Sequence, residues 1–182
     1  MKQKNSQPRI LGRHASVEFL DHGPQKVGGK VDTGADSSSV WASNISMDDK
    51  NRLHFTLFGP SSDYYTGKEI IKKRYKIKVV RSSSGHQQIR YTVKLSVRID
   101  GWRVLGTFTL SDRSRNNYPV LIGTKLLKGK FLVDVSKKSA DEEQPVLKVK
   151  SRRMTDLSKK DPLVFFETYY KNQVLEPEEA EV

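Results

Sequence analysis

A chain of 182 residues, 35% apolar and 30% charged, has the size and balance of one globular domain with polar extensions. Its formal net charge of +12, from 33 Lys+Arg against 21 Asp+Glu, gives it a long-range attraction for polyanions, so weak polyanion binding is expected. No apolar run approaches the roughly 18 residues of a membrane span, and the opening residues lack the apolar stretch of a signal peptide, so the cytoplasm is the expected compartment. With no cysteine, disulfides, thiolate catalysis and cysteine-based zinc sites are excluded.

Residues 1–8 are polar and are expected to be disordered. Residues 9–136 then read as one all-β domain. Tyr75–Val80, Ile89–Ile99 and Trp102–Leu110 alternate apolar and polar residues, a pattern that puts one strand face on a core and the other in water. Turn signals separate the runs at His22-Gly23-Pro24, Gly59-Pro60, Ser82–Gly85 and Arg113–Asn117. Asp100-Gly101, placed between Ile99 and Trp102, predicts a two-residue hairpin. Many short strands at close spacing imply a closed or sandwich-like fold, because open sheet edges invite aggregation.

Composition changes after about residue 136. Residues 137–160 are rich in Lys, Ser, Asp and Glu and read as a linker. A short docking helix is predicted next, with Asp161 as N-cap and Pro162 in the first position. The segment Glu176–Val182 holds four glutamates and reads as an acidic disordered tail.

The stretch that carries chemistry is Lys30-Val31-Asp32-Thr33-Gly34-Ala35. Water attacks a peptide carbonyl only if one group takes its proton while another protonates the oxygen. Two carboxyl groups sharing one proton do both, because like charges that close together cannot both ionise. Such a carboxylate needs a tight loop whose backbone N–H groups can reach it. Gly34 permits that loop, Thr33 offers a hydroxyl, and small Ala35 leaves space. About ninety residues later comes Pro119-Val120-Leu121-Ile122-Gly123, an apolar strand that ends on a glycine before the helix-like Thr124–Leu127. Gly123 would let that turn pack close behind the loop.

Asp32–Ala35 together with Leu121–Leu127 resembles the retropepsin-type aspartic peptidases. Ile10–Arg13, Lys30–Ala35, Arg81–His86 and Gly129–Asp134 extend the likeness to the bacterial and archaeal branch labelled ATP-dependent zinc protease. The resemblance implies a retropepsin-like closed β-barrel protomer with a short helix after the Leu121-Ile122-Gly123 strand. It also implies catalysis by Asp32 in a homodimer, with Thr33, Gly34, Ala35 and Gly123 supporting the catalytic loop. Members often sit in a genomic context with ligases that add glutamate to ribosomal proteins. Nothing in the chain supports the zinc and ATP of the label. His14, His22, His54 and His86 show no paired ligand spacing, and no phosphate-binding glycine loop is present, so neither metal nor cofactor is expected.

The chain contains no second Asp-Thr/Ser-Gly, so an Asp dyad requires a second copy of the chain on a two-fold axis. A cleft between two protomers also needs a cover. The turn Arg81-Ser82-Ser83-Ser84-Gly85-His86 is the expected flap, Phe58–Asp63 is a competing one, and Asp36 is a further candidate for substrate contact. Arg81 and His86 would suit an acidic, glutamate-rich peptide. The expected function is therefore a metal-independent aspartic endopeptidase. The alternatives are a catalytically silent scaffold on the same fold, or a basic RNA- or ribosome-associated β module.

Overall fold

The computed structural model describes residues 7–81, 87–137 and 156–170. The chain divides into two units, Met1–Gln144 and Pro145–Val182. No helix among the described residues is long and apolar enough to cross a membrane.

The first unit is built from strands: β1 (Arg9–Leu11), β2 (His14–Phe19), β3 (Lys26–Asp32), β4 (Ser38–Met47), β5 (Leu53–Leu57), β6 (Glu69–Lys72), β7 (Tyr75–Arg81), β8 (Gln87–Ile99), β9 (Trp102–Ser111), β10 (Val120–Gly123) and β11 (Phe131–Val133). One helical turn, α1 (Thr124–Leu127), follows β10. Pairing runs β10-β3-β2-β8-β9-β4, and β4 pairs back to β10, so six strands close into a barrel. Closure removes the open edges that short strands would otherwise expose. β5 and β6 extend from β4, β7 pairs with β8, and β1 pairs with β11 in a separate ribbon.

Period-two alternation sets the strand faces. Buried and half-buried positions alternate along β2, and the second half of β8 buries Val93, Leu95, Val97 and Ile99. Phe19, Phe108, Leu110 and Ile122 close the core from the neighbouring strands. The predicted Asp-Gly hairpin forms between β8 and β9, with φ of 44° at Asp100 and 79° at Gly101. Positive φ at both central residues matches the right-handed twist of the flanking strands. The Asp100 carboxylate also accepts a bond from the Ser16 N–H at 2.7 Å.

In the competing flap candidate Phe58–Asp63, Phe58 and Gly59 are buried while Pro60, Ser61 and Asp63 are exposed. The Phe58 ring is fully buried and meets Phe19, His22 and Tyr64 edge-on or tilted, while its N–H donates to the Trp41 carbonyl. Gly59 lies on the Trp41 ring, where a Cβ would come within 2.6 Å of a ring carbon. Apolar burial anchors this loop at its start.

In the second unit residues 156–160 are helical, in a stretch whose composition reads as linker. The Asp161 N–H donates to the Leu157 carbonyl at 2.8 Å, and the helix then breaks at Asp161, which precedes a proline and is extended with φ −143°. Asp161 starts the next turn, Pro162–Phe165, its carboxylate accepting from the Val164 N–H at 3.0 Å. A π-helical turn, Phe166–Tyr170, follows.

Two features of the first unit generate tests. β10 lies parallel to β3 in a register that pairs Gly123 with Asp32. A Cβ at Gly123 would lie 2.6 Å from the Ser37 carbonyl carbon and 2.7 Å from the Ala35 oxygen, both of them backbone atoms that cannot swing away. Gly123→Ala should therefore displace the Asp32 loop and cost about 1–3 kcal/mol; a thermal melt matching the parent would contradict this packing.

At the other end of β4, His54 sits between two carboxylates, with Nε2 3.0 Å from Asp48 and Nδ1 3.1 Å from Glu69. Bonds to Asp48 and then to Glu69 raise the His54 pKa above its usual 6.5. Burial pushes the Asp48 carboxyl up, but bonds from the Arg52 N–H and from the His54 and Arg52 side chains outweigh it and hold that carboxyl far below the usual range. A raised folded-state pKa gives stability that is complete below about pH 6.5 and lost as pH climbs through the raised value. The stability gap between the parent and His54→Gln, measured by urea unfolding, should shrink as pH rises from about 6 to about 9. A gap that stays constant would show that the cluster does not titrate in this way.

Candidate active site

Asp32 is the last residue of β3 and is half-buried. The chain turns immediately after it, and the turn is closed by its own atoms. The Gly34 N–H donates to Asp32 Oδ1 at 3.0 Å, and the Ala35 N–H donates to the Asp32 carbonyl at 3.3 Å. A backbone donor on the carboxylate fixes its orientation. Thr33 and Gly34 are exposed at the tip of the turn.

The loop is held from behind by β10 and α1. The first two N–H groups of α1 have no partner within the helix, and they donate to the Asp32 loop instead: Thr124 to the Ala35 carbonyl at 2.8 Å, and Lys125 to the Asp36 carbonyl at 3.1 Å. The buried Ser38 hydroxyl accepts from the Gly123 N–H at 3.0 Å. Lys125 Nζ reaches Asp36 Oδ2 at 3.0 Å, and this bond and charge lower the Asp36 pKa. Asp36 is thus engaged by a lysine of α1 on the exposed side of the loop.

Above the loop is a cleft of about 420 Å³. Its floor includes Gly34, Ala35, Asp36 and Ser37, and its wall includes Lys78, Val79, Val80 and Arg90 of the β7–β8 hairpin, with Arg113 beyond the end of β9. The hairpin is paired as far as Arg81 opposite Gln87. Of the expected flap, residues 82–86 lie outside the described residues, as does the Arg81 side chain. What is described is the hairpin stem, which lines the cleft opposite the loop.

Three cations, Lys78, Arg90 and Arg113, line the cleft together with the single carboxylate of Asp36. Lys78 Nζ donates to the Ser37 hydroxyl at 2.6 Å, and Arg90 bonds the Gln88 side chain at 2.8 and 3.1 Å. Arg113 donates from Nε to the Tyr118 carbonyl at 2.9 Å and from Nη1 to the Ser39 hydroxyl at 3.0 Å. All of these hydrogen-bond partners are neutral. Burial lowers the Arg113 pKa, the nearby Arg90 charge lowers it further, and Asp32 opposes the shift. Arg113 is therefore within electrostatic reach of both Arg90 and Asp32. Burial likewise lowers the Arg90 pKa.

The sequence singled out Asp32, Thr33, Gly34, Ala35, Asp36 and Gly123, and these come together in one loop and its buttress. Lys78, Arg90 and Arg113 were missed. The polar face of the alternating strands was the available signal, but only the register of β7 on β8 shows that Lys78 and Arg90 stand opposite each other. Among the described residues no group of three or more His, Asp or Glu side chains is placed to hold a metal ion.

Comparison with known proteins agrees with this geometry. In Lpg0085 of Legionella pneumophila, a crystal structure of unknown function, 98% of the chain superposes on 74% of this one with a TM-score of 0.58 and 23% identity. The "Probable alpha-L-glutamate ligase" of Shewanella pealeana is 26% identical over 159 residues, covering 85% of this chain but 34% of that protein. Its namesake in Desulfotalea psychrophila is 24% identical over 135 residues, covering 69% of this chain and 28% of that protein. The chain thus spans about a third of the length of the curated relatives it matches. The model of the "retropepsin-like aspartic endopeptidase RimB" family matches residues 10–144, from β1 past β11 and across the whole barrel with its Asp32 loop, and the chain belongs to that RimB-like family.

Proposed function

We propose that this chain is an aspartic-type endopeptidase whose active site forms when two copies bring their Asp32 loops together. The observation that carries the reading is the Asp32 carboxylate itself. It is oriented by the Gly34 N–H, and its loop, buttressed by Gly123, floors a cleft whose wall includes the β7–β8 hairpin. In a two-fold pair, one ionised and one protonated Asp32 hold a water between them. The ionised carboxylate takes a proton from that water as its oxygen bonds to the peptide carbonyl carbon. The protonated carboxyl gives its proton to the carbonyl oxygen. The gem-diol then collapses, the C–N bond breaks, and a proton returns to the nitrogen.

Lys78, Arg90 and Arg113 favour an acidic peptide as substrate, because cations whose hydrogen bonds go to neutral groups are ready to receive carboxylates. The ligase relatives support the same substrate class. A stretch like this chain forms about a third of a protein named as a probable alpha-L-glutamate ligase. That observation also favours a second reading, in which the fold holds such peptides without hydrolysing them. The mechanism calls on no metal or nucleotide, and a cytoplasmic setting fits such a substrate.

Asp32→Asn separates the two readings. It should lower hydrolysis of glutamate-rich peptides by about a thousandfold or more, with the thermal melt unchanged and with EDTA making no difference to the parent. Turnover retained by Asp32→Asn would exclude the peptidase reading, and so would a parent that binds these peptides but never cleaves them.

A further inference from the structure

The outer face of β7, β8 and β9 carries a row of positive charge that begins in the cleft and leaves it. In register, Lys78 stands opposite Arg90, Lys76 opposite Thr92, Lys94 opposite Thr107, and Arg98 opposite Arg103. These six cations share the outer face, because the alternate positions of β8, Val93 to Ile99, are buried in the core. None of the three strands contains an aspartate or glutamate. A carboxylate does reach this row from Glu18 of β2, which takes up Arg98 through bonds of 2.8 and 3.0 Å. Lys76, Lys94 and Arg103 are exposed.

Successive rungs on one strand face are about 6.8 Å apart, so the row from Arg90 to Arg98 runs about 27 Å. An extended peptide presents alternate side chains at the same spacing of about 6.8 Å. A surface made only for solubility would intersperse both signs. Nucleic acid is the less suitable occupant. Tyr75, Tyr91, Trp102 and Phe108 all lie on the opposite face, so this row offers no ring on which a base could stack.

We infer that the outer face of β7–β9 is an exosite for an extended polycarboxylate peptide, which Lys76, Lys94 and Arg103 guide to the cleft entrance at Lys78 and Arg90. The inference deepens the proposed function and rests on it for the direction of travel, but binding to the row does not require hydrolysis. Lys76, Lys94 and Arg103 stand outside the cleft lining.

The test measures binding and cleavage separately. Fluorescence anisotropy follows a fluorescein-labelled oligoglutamate of about twelve residues, some 40 Å when extended, on the Asp32→Asn protein. Combining Lys76→Glu, Lys94→Glu and Arg103→Glu should weaken binding by about tenfold or more and flatten its salt dependence. The corresponding glutamine variants, which guard against misfolding, should give a smaller loss in the same direction. In the parent background the same substitutions should leave cleavage of a peptide of about four residues unchanged, since it fits within the cleft. Unchanged affinity for the long peptide in both variant sets would overturn the exosite, even if short peptides are cleaved normally. So would oligouridylate binding more tightly than the peptide and being the ligand the substitutions weaken. Charge-dependent peptide binding with no hydrolysis by the parent would uphold the exosite while removing the peptidase reading.

Discussion

The candidate site depends on how closely a strand-to-helix turn can approach the Asp32 loop. β10 runs parallel to β3, places Gly123 level with Asp32, and sends α1 off directly behind the loop. The absence of a side chain at Gly123 leaves the Ala35 and Ser37 backbone in van der Waals contact with the strand. That closeness lets the first N–H groups of α1 reach the Ala35 and Asp36 carbonyls. It also leaves the Gly34 N–H aimed at the Asp32 carboxylate. The barrel brings together two segments about ninety residues apart, and the loop inherits its rigidity from them.

A second consequence of the barrel is the distribution of charge. Alternation forces every cation of β7, β8 and β9 whose side chain is described onto the outer face, and without acidic residues in those strands the field there is of one sign. The cleft inherits part of it through Lys78 and Arg90, and Arg113 adds a half-buried guanidinium within electrostatic reach of Asp32. Strand pairing thus positions both the Asp32 loop and the cations beside it.

Much of this was legible before any coordinates. The alternating runs became β7, β8 and β9, and Asp100-Gly101 became their tight turn, because period and turn chemistry are local properties. The Asp32 loop and its Gly123 partner were legible because each residue type has one strong physical reason to be there. The burial of Phe58 was not legible: a bulky residue with φ of 62° cannot be foreseen from Gly-Pro turn signals, and its ring is held by Phe19 and His22 from elsewhere in the chain. The helical turn at 156–160 hid within a linker-like composition. The Asp48–His54–Glu69 cluster and the cleft cations were illegible for one shared reason, since which side chains meet depends on register between strands, and register is not written in either strand alone.

The central claim is that the Asp32 loops of two copies meet on a two-fold axis, and the natural absence of cysteine makes a direct measurement possible. Thr33→Cys places the chain's sole thiol at the exposed tip of the loop. A disulfide forms only if the two Cα atoms can approach to within about 7 Å. Mild oxidation followed by mass measurement under denaturing conditions should then give a covalent species of twice the 20.8 kDa chain. A product that stays at the single-chain mass, while a cysteine on the outer face reacts normally with a thiol reagent, would contradict the account.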